Sequence, residues 1–181
     1  MATRVTRGKV LVGAIDANTL SIGNTDVNST AVELNRATDV SARIVNVTAA
    51  TLTVTEAEHD SKVITLNRAA GVAVTLPAAT GSGAKLQFFV GTTITSVGTT
   101  IKVVGNDTMV GAAIVAQDAA DTAVMFEASG TDDTVTLNGT TTGGIKGDSV
   151  ELIDVATDLW WVRVVSSATG TEATPFSATV V

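Results

Sequence analysis

The chain contains no cysteine and no tyrosine, a single histidine, two prolines and only six aromatic residues in 181. Without cysteine there is no disulfide framework, no thiolate metal site and no cysteine nucleophile. With His59 as the sole imidazole, a serine-type triad or a multi-histidine metal centre would rest on one residue. Paired carboxylates are the acid–base chemistry left, and their spacing for glycoside cleavage is spatial, not sequential. Long apolar runs are missing too. Val10–Ile15 is cut off by Asp16, and the charge-free stretch Leu86–Ile101 is loaded with Thr and Gly. Neither suits a secretory leader or a bilayer span, so the sequence predicts a soluble protein with no export signal and no membrane partner.

What fills the chain instead is small and β-branched. Thr (31), Val (27) and Ala (26) make up close to half of it. Val and Thr are stiff at χ1 and suit pleated sheets, so the expectation is mostly β. Charge is uneven. Residues 1–90 carry 8 basic and 7 acidic groups, net +1, whereas residues 91–181 carry 3 basic and 11 acidic, net −8. An acidic body disfavours nucleic acid, which needs clustered Lys and Arg. The basic exception is the start, where Arg4, Arg7 and Lys9 precede any acid and read as an arm able to dock on an acidic protein surface.

Residues 1–40 read as that arm plus a short helix, and 41–181 as the body. Within the arm, Lys9–Val12 is a candidate strand, and Gly13, Gly23 and the Asn-rich stretch Asn18–Asn28 interrupt it. Thr30-Ala-Val-Glu33 fits a capping box and predicts about two helical turns to Thr38. From Ser41 on, apolar and polar residues alternate, as in Leu52/Val54, Val72/Val74/Leu76 and Thr134–Leu137, with Gly-marked turns between. Period two puts one face in and one out, and the spacing predicts an antiparallel β-sandwich or jelly-roll-like body. The near-repeat Gly91–Val97/Gly98–Val104 predicts two short strands, Ser149–Val155 and Leu159–Val165 a hairpin, and the apolar ending Ala178–Val181 a tail that docks on a sheet.

Four of the six aromatics are adjacent pairs, Phe88-Phe89 and Trp160-Trp161. In a strand, neighbours point to opposite faces. Phe88 and Trp160 therefore belong to one core, while Phe89, Trp161 and Arg163 face away from it and are predicted to form a subunit interface. A core of small side chains contributes little apolar area per residue, which favours a cyclic homo-oligomer.

Other constellations are weak. Glu56-Ala-Glu58-His59-Asp60 reads as a solvated strand-end turn. Asn106-Asp107, Asp118 with Asp121, and Asp132-Asp133 could offer oxygens to Ca²⁺ but lack EF-hand spacing. Gly81-Ser-Gly83-Ala-Lys85 has a phosphate loop's glycines without the Walker spacing, and reads as a turn. The sequence therefore predicts no enzyme, no cofactor and no metal.

Three segments together carry a resemblance: Thr30–Arg36; Glu58–Asn67 followed by Val74–Gly83; and Asp133–Gly139 with Gly147–Asp154 and Trp160–Arg163. They resemble β-rich structural proteins of tailed bacteriophages, particularly capsid decoration (cement) proteins and related head-fibre proteins. The resemblance spans about residues 30–181. It implies a non-enzymatic virion protein, a homotrimer on the outer surface of the capsid, partnered with itself and with the phage major capsid protein. On that implication Arg4, Arg7 and Lys9 are the capsid contacts. Lack of a helical or collagen-like stalk argues against an extended head fibre. The alternatives are a tail-fibre or receptor-binding module that recognises host surface glycan and, third, a carboxylate-based glycan hydrolase.

Overall fold

The computed structural model describes residues 20–22, 25–27, 43–119 and 121–179. The chain divides into two compact units, Met1–Val40 and Ser41–Val181. In the first, β1 (Leu20–Ile22) pairs antiparallel with β2 (Thr25–Val27), Leu20 opposite Val27. The sequence reading treated this stretch as an interruption. The described residues 20–22 and 25–27 are instead two short paired strands. Arg4, Arg7 and Lys9, the strand expected at Lys9–Val12 and the helix expected from Thr30 lie outside the described residues.

The second unit is mostly β and sandwich-like, as expected. It contains β3 (Ile44–Val47), β4 (Thr51–Thr53), β5 (Lys62–Leu66), β6 (Ala73–Thr75), β7 (Lys85–Val90) and β8 (Thr99–Lys102). Then follow β9 (Thr108–Gln117), β10 (Ala123–Asp132), β11 (Thr134–Leu137), β12 (Ser149–Ala156), β13 (Leu159–Ala168) and β14 (Phe176–Ser177). A single helical turn, α1 (Glu56–His59), sits between β4 and β5. One sheet has the order β10-β9-β13-β12-β7-β5-β3 and the other β14-β11-β8-β6-β4.

Both sheets are mixed, not purely antiparallel. From β3 to β8 the chain alternates strictly between them, one strand to each, in three stacked rungs. β3, β5 and β7 run parallel in the larger sheet, and β4, β6 and β8 run parallel in the smaller. Parallel neighbours need a crossover, and here the crossover is the strand in the opposite sheet. Corners of successive rungs touch. Gly71 has φ +79°, and a Cβ there would lie 2.0 Å from the Gly98 carbonyl oxygen, so only glycine fits. From β9 on the pairings are antiparallel except β13 with β9. The predicted hairpin is β12–β13, with Leu152 opposite Val162 and Ile153 opposite Trp161.

Between the sheets lies a dry core. Phe88, Leu86, Val90, Ile64, Trp160, Val162 and Val164 enter it from the larger sheet, and Val74, Ile101, Val135 and Leu137 from the smaller. Two expectations need adjusting. Of the Gly91–Val104 near-repeat only the second half is a strand, because the first half forms the corner into β8, with Val97 at φ 63° and almost fully exposed. The tail does dock, but through Phe176, buried where β14 pairs with β11, and through the Thr179 amide, which donates to Asp133 at 2.8 Å.

Candidate interaction surface

The larger sheet covers the core with one face and leaves the other uncovered among the described residues. Alternation decides which side chains it presents. On β7 the pattern is strict: Leu86, Phe88 and Val90 are buried, whereas Lys85, Gln87 and Phe89 are exposed. On β13, Trp160, Val162 and Val164 are fully buried, whereas Arg163 and Val165 are exposed and Trp161 is half-buried. The structure thus places Phe89, Trp161 and Arg163 together on the outward face.

Register then lays out rows across that face. One row runs Met125, Ile114, Val165, Ser149, Phe89 across β10, β9, β13, β12 and β7. Its apolar members are exposed, Met125 at 69% and Val165 at 46%. A second row holds Ala112, Arg163, Glu151 and Gln87. A third runs Val110, Trp161, Ile153, Lys85. Sequence reasoning found the two aromatics. It also put Val165 on this face with Trp161 and Arg163, but missed Ile114 and Met125, because only the β9–β10–β13 register brings them beside Phe89.

Arg163 links two rows. Its Nη2 donates to Glu151 Oε2 at 2.6 Å, and its guanidinium carbon lies 6.0 Å from the Trp161 ring centroid. Such an exposed pair contributes about 0–1 kcal/mol to the fold. It also leaves the guanidinium over the Trp161 ring, so the face has a polar bridge inside an apolar field.

At the Lys85 corner an open depression of about 380 Å³ is lined by Ser61, Lys62, Lys85, Gln87, Glu151 and Ile153, among others. Its frame is tied down. Ser61 adopts φ 59°, in the left-handed region, and donates its amide to the Lys85 carbonyl at 2.8 Å. Asp60 Oδ1 accepts the Lys85 amide at 2.9 Å, and Ser82 Oγ donates to Glu56 Oε1 at 2.8 Å.

Beneath this corner lies Asp154, fully buried in register with Trp160. Its carboxylate accepts the backbone amides of Thr80, Gly81 and Ser82 at 2.9, 2.7 and 3.0 Å, and the Ser82 hydroxyl at 2.8 Å. Burial pushes its pKa up, but these donors outweigh burial and hold it below the usual carboxylate range. The glycine-rich turn noted in the sequence is therefore an anion cradle filled from within, by a residue 72 positions beyond Ser82. At the other end of β12, Asp148 accepts the amides of Gly144, Ile145 and Ser167 at 2.7, 2.9 and 3.0 Å. There burial wins, and its pKa is raised despite these donors.

The remaining candidates are also structural. His59 is buried, not solvated as the sequence suggested, because α1 folds its ring back to 3.1 Å from the Thr55 amide. Asp107 and Asp133 are buried and accept the amides of Ala79 and Thr179. Among the described residues no three His, Asp or Glu side chains converge as a metal-holding group. No family model, curated protein or solved structure matches this chain.

Proposed function

We propose that this chain is a non-enzymatic capsid decoration (cement) protein of a tailed bacteriophage. In this reading it sits as a homotrimer on the outer surface of the head and bridges major capsid proteins. The observation that carries the reading is the outward face of the larger sheet, where Phe89, Ile114, Met125, Trp161 and Val165 lie exposed or half-buried around the Arg163–Glu151 pair. An ordered apolar face with an embedded arginine and tryptophan has the composition of an assembly interface. The resemblance of Thr30–Arg36, Glu58–Gly83 and Asp133–Arg163 to phage structural proteins suggests the biological setting of this reading. Several modest contacts per trimer, made at once, reinforce each other through effective concentration.

Imaging of the virion at side-chain resolution tests this: density for the chain at threefold positions outside the head is the expected result, and its absence from the head overturns it. Arg4, Arg7 and Lys9 carry the capsid contact in this reading, so removing residues 1–9 should abolish co-sedimentation with heads. Unchanged co-sedimentation removes that role.

One observation favours a second reading, a tail-fibre module that binds host glycan. The depression at Lys62, Lys85, Gln87 and Glu151 offers charged and amide groups one strand away from Trp161, a combination that suits sugars. Binding of purified protein to host cells, with none to empty heads, would select it.

A further inference from the structure

Of the chain's eight asparagines only Asn138 precedes a glycine. Such a pair is the one most prone to cyclise. The glycine nitrogen carries no hindering side chain beside it, and glycine backbone reaches the required angles freely. In the reaction the Gly139 nitrogen bonds to Asn138 Cγ, the Cγ–Nδ2 bond breaks, and the Gly139 amide proton leaves with Nδ2 as ammonia. Water then opens the resulting succinimide at either carbonyl. One product is aspartate; the other is isoaspartate, with the main chain routed through the side-chain carbon. No oxidant or cofactor takes part.

Asn138 is exposed, so solvent reaches it, yet the groups that must react are already engaged. The nucleophile is occupied, since the Gly139 amide donates to the Gly143 carbonyl at 2.7 Å. The electrophile is pinned. Asn138 Oδ1 accepts the Thr140 amide at 2.8 Å, the Thr140 hydroxyl at 3.1 Å and the Thr142 amide at 3.2 Å, while Nδ2 donates to Thr141 Oγ1 at 2.8 Å. The Asn138 backbone amide donates to the Thr142 hydroxyl at 3.0 Å. Attack requires the side chain to turn the face of its carbonyl toward the Gly139 nitrogen, which breaks several of these bonds together. Gly139 has no room to give way: its φ is +83°, and a Cβ there would lie 2.0 Å from the Ile94 carbonyl oxygen.

We propose that Asn138–Gly139 is a self-modification site held shut by its own turn: cyclisation waits for residues 138–143 to open and afterwards keeps them from closing. Each hydrogen bond shifts an opening equilibrium about 2- to 13-fold. Several broken at once make the folded chain react at least about 30-fold more slowly than the unfolded one.

The consequence reaches beyond the turn. Isoaspartate adds one main-chain carbon immediately before the crowded Gly139, and either product lacks the Nδ2 donor. The same turn anchors the end of the chain. The Thr140 and Thr141 carbonyls accept the amides of Thr169 and Ala173 at 3.0 and 2.9 Å, on the way from β13 to β14. Conversion to isoaspartate therefore releases the segment that delivers β14 to β11.

Peptide mapping by mass spectrometry tests the gate, following conversion at position 138 in the full chain at mildly alkaline pH, in buffer and in denaturing guanidinium. Circular dichroism verifies the folded state in the first and its loss in the second. The folded chain should react at least about 30-fold more slowly, and a smaller difference overturns the gate. Thr140→Ala/Thr141→Ala removes two side-chain partners of Asn138 and leaves the reacting pair intact. Its folded rate should rise about tenfold, with the denatured rate unchanged. Thr141→Val keeps the shape without the hydroxyl, and serves if the double variant does not fold; a rise of about threefold is expected. Folded variants that react no faster than the parent would show that the turn is not what protects Asn138. In protein converted to isoaspartate, hydrogen exchange should quicken at Thr169 and Ala173. Unchanged exchange there overturns the release of the C-terminal segment.

Discussion

Trp160 and Trp161 are adjacent in sequence and separated by a sheet. Trp160 is fully buried in register with Met109 and Asp154, whereas Trp161 lies outside, under the guanidinium of Arg163. Phe88 and Phe89 repeat the division on β7. The inner face has a single solution: close-packed, dry, with its buried carboxylates tied to backbone amides. The outer face has comparable side chains and no packing partner among the described residues. The same strands thus present two distinct surfaces, and the pleat keeps them separate, so in the proposed oligomer a substitution should affect folding or association according to the parity of its position.

The largest expected effect is on the inner face. Trp160→Ala should cost about 3–5 kcal/mol in urea-monitored unfolding free energy. A cost below about 1 kcal/mol would mean the inner face is not a packed core. Next comes Asp154, also inward. Asp154→Asn should lose about 1.5–3 kcal/mol at neutral pH, since hydrogen bonds to a charged acceptor are at stake.

Its pH dependence has a definite sign. A depressed folded pKa means stability that is complete above the unfolded value, near 3.9, and lost as pH falls through the folded one. The gap between parent and Asp154→Asn should therefore close on acidification below about pH 4. Asp148 is the mirror case. Its folded pKa is raised, so ionisation costs stability as pH climbs from about 4 through that value, and the gap to Asp148→Asn should narrow as pH rises. Unfolding curves from pH 2.5 to 7 separate the two, and gaps moving in the same direction would contradict the assignment.

On the outer face the order reverses. Trp161→Ala should change unfolding free energy of the monomer by less than about 1 kcal/mol. It should weaken self-association by about 30-fold in sedimentation, the scale of a hot-spot residue. The smallest effect belongs to Arg163→Ala, about 0–1 kcal/mol on folding, because its ion pair is exposed. A large folding defect there would show that the bridge to Glu151 stabilises the monomer.

Much of this contrast was legible in the sequence. Period two in Leu86–Val90 and Trp160–Val165 separates core from surface without any coordinates, and the alternating pattern with its glycines marks most strands and turns. Strand partners were harder. Alternation of β3 to β8 between the sheets leaves no mark on local periodicity, because a strand buried on one face looks the same in either sheet. The parallel partners stand 19 to 27 residues apart, as Ile44 and Val63 or Ala73 and Thr100 do, beyond any turn signal. The Asp154 cradle was hidden for the same reason. Its glycines were visible, but the anion they hold comes from the far end of the chain. Ribbon β1–β2 was missed because its strands are only three residues each, too short to show a period of two.

The rungs differ in a way that bears on what could be added to this molecule. Corresponding positions in the larger sheet fall 19 and then 24 residues apart, from Ile44 to Val63 to Gln87, while the strands themselves stay in step. The extra residues lie outside the paired strands, in the connections between them; in the smaller sheet, where the spacings are 22 and then 27 from Thr51 to Ala73 to Thr100, they include the corner that displays Val97. Lengthening such a connection costs only loop entropy, about 0.6 kcal/mol for each doubling. The corner before β8 is therefore a place where a foreign peptide could be spliced in and carried outward by an unchanged frame.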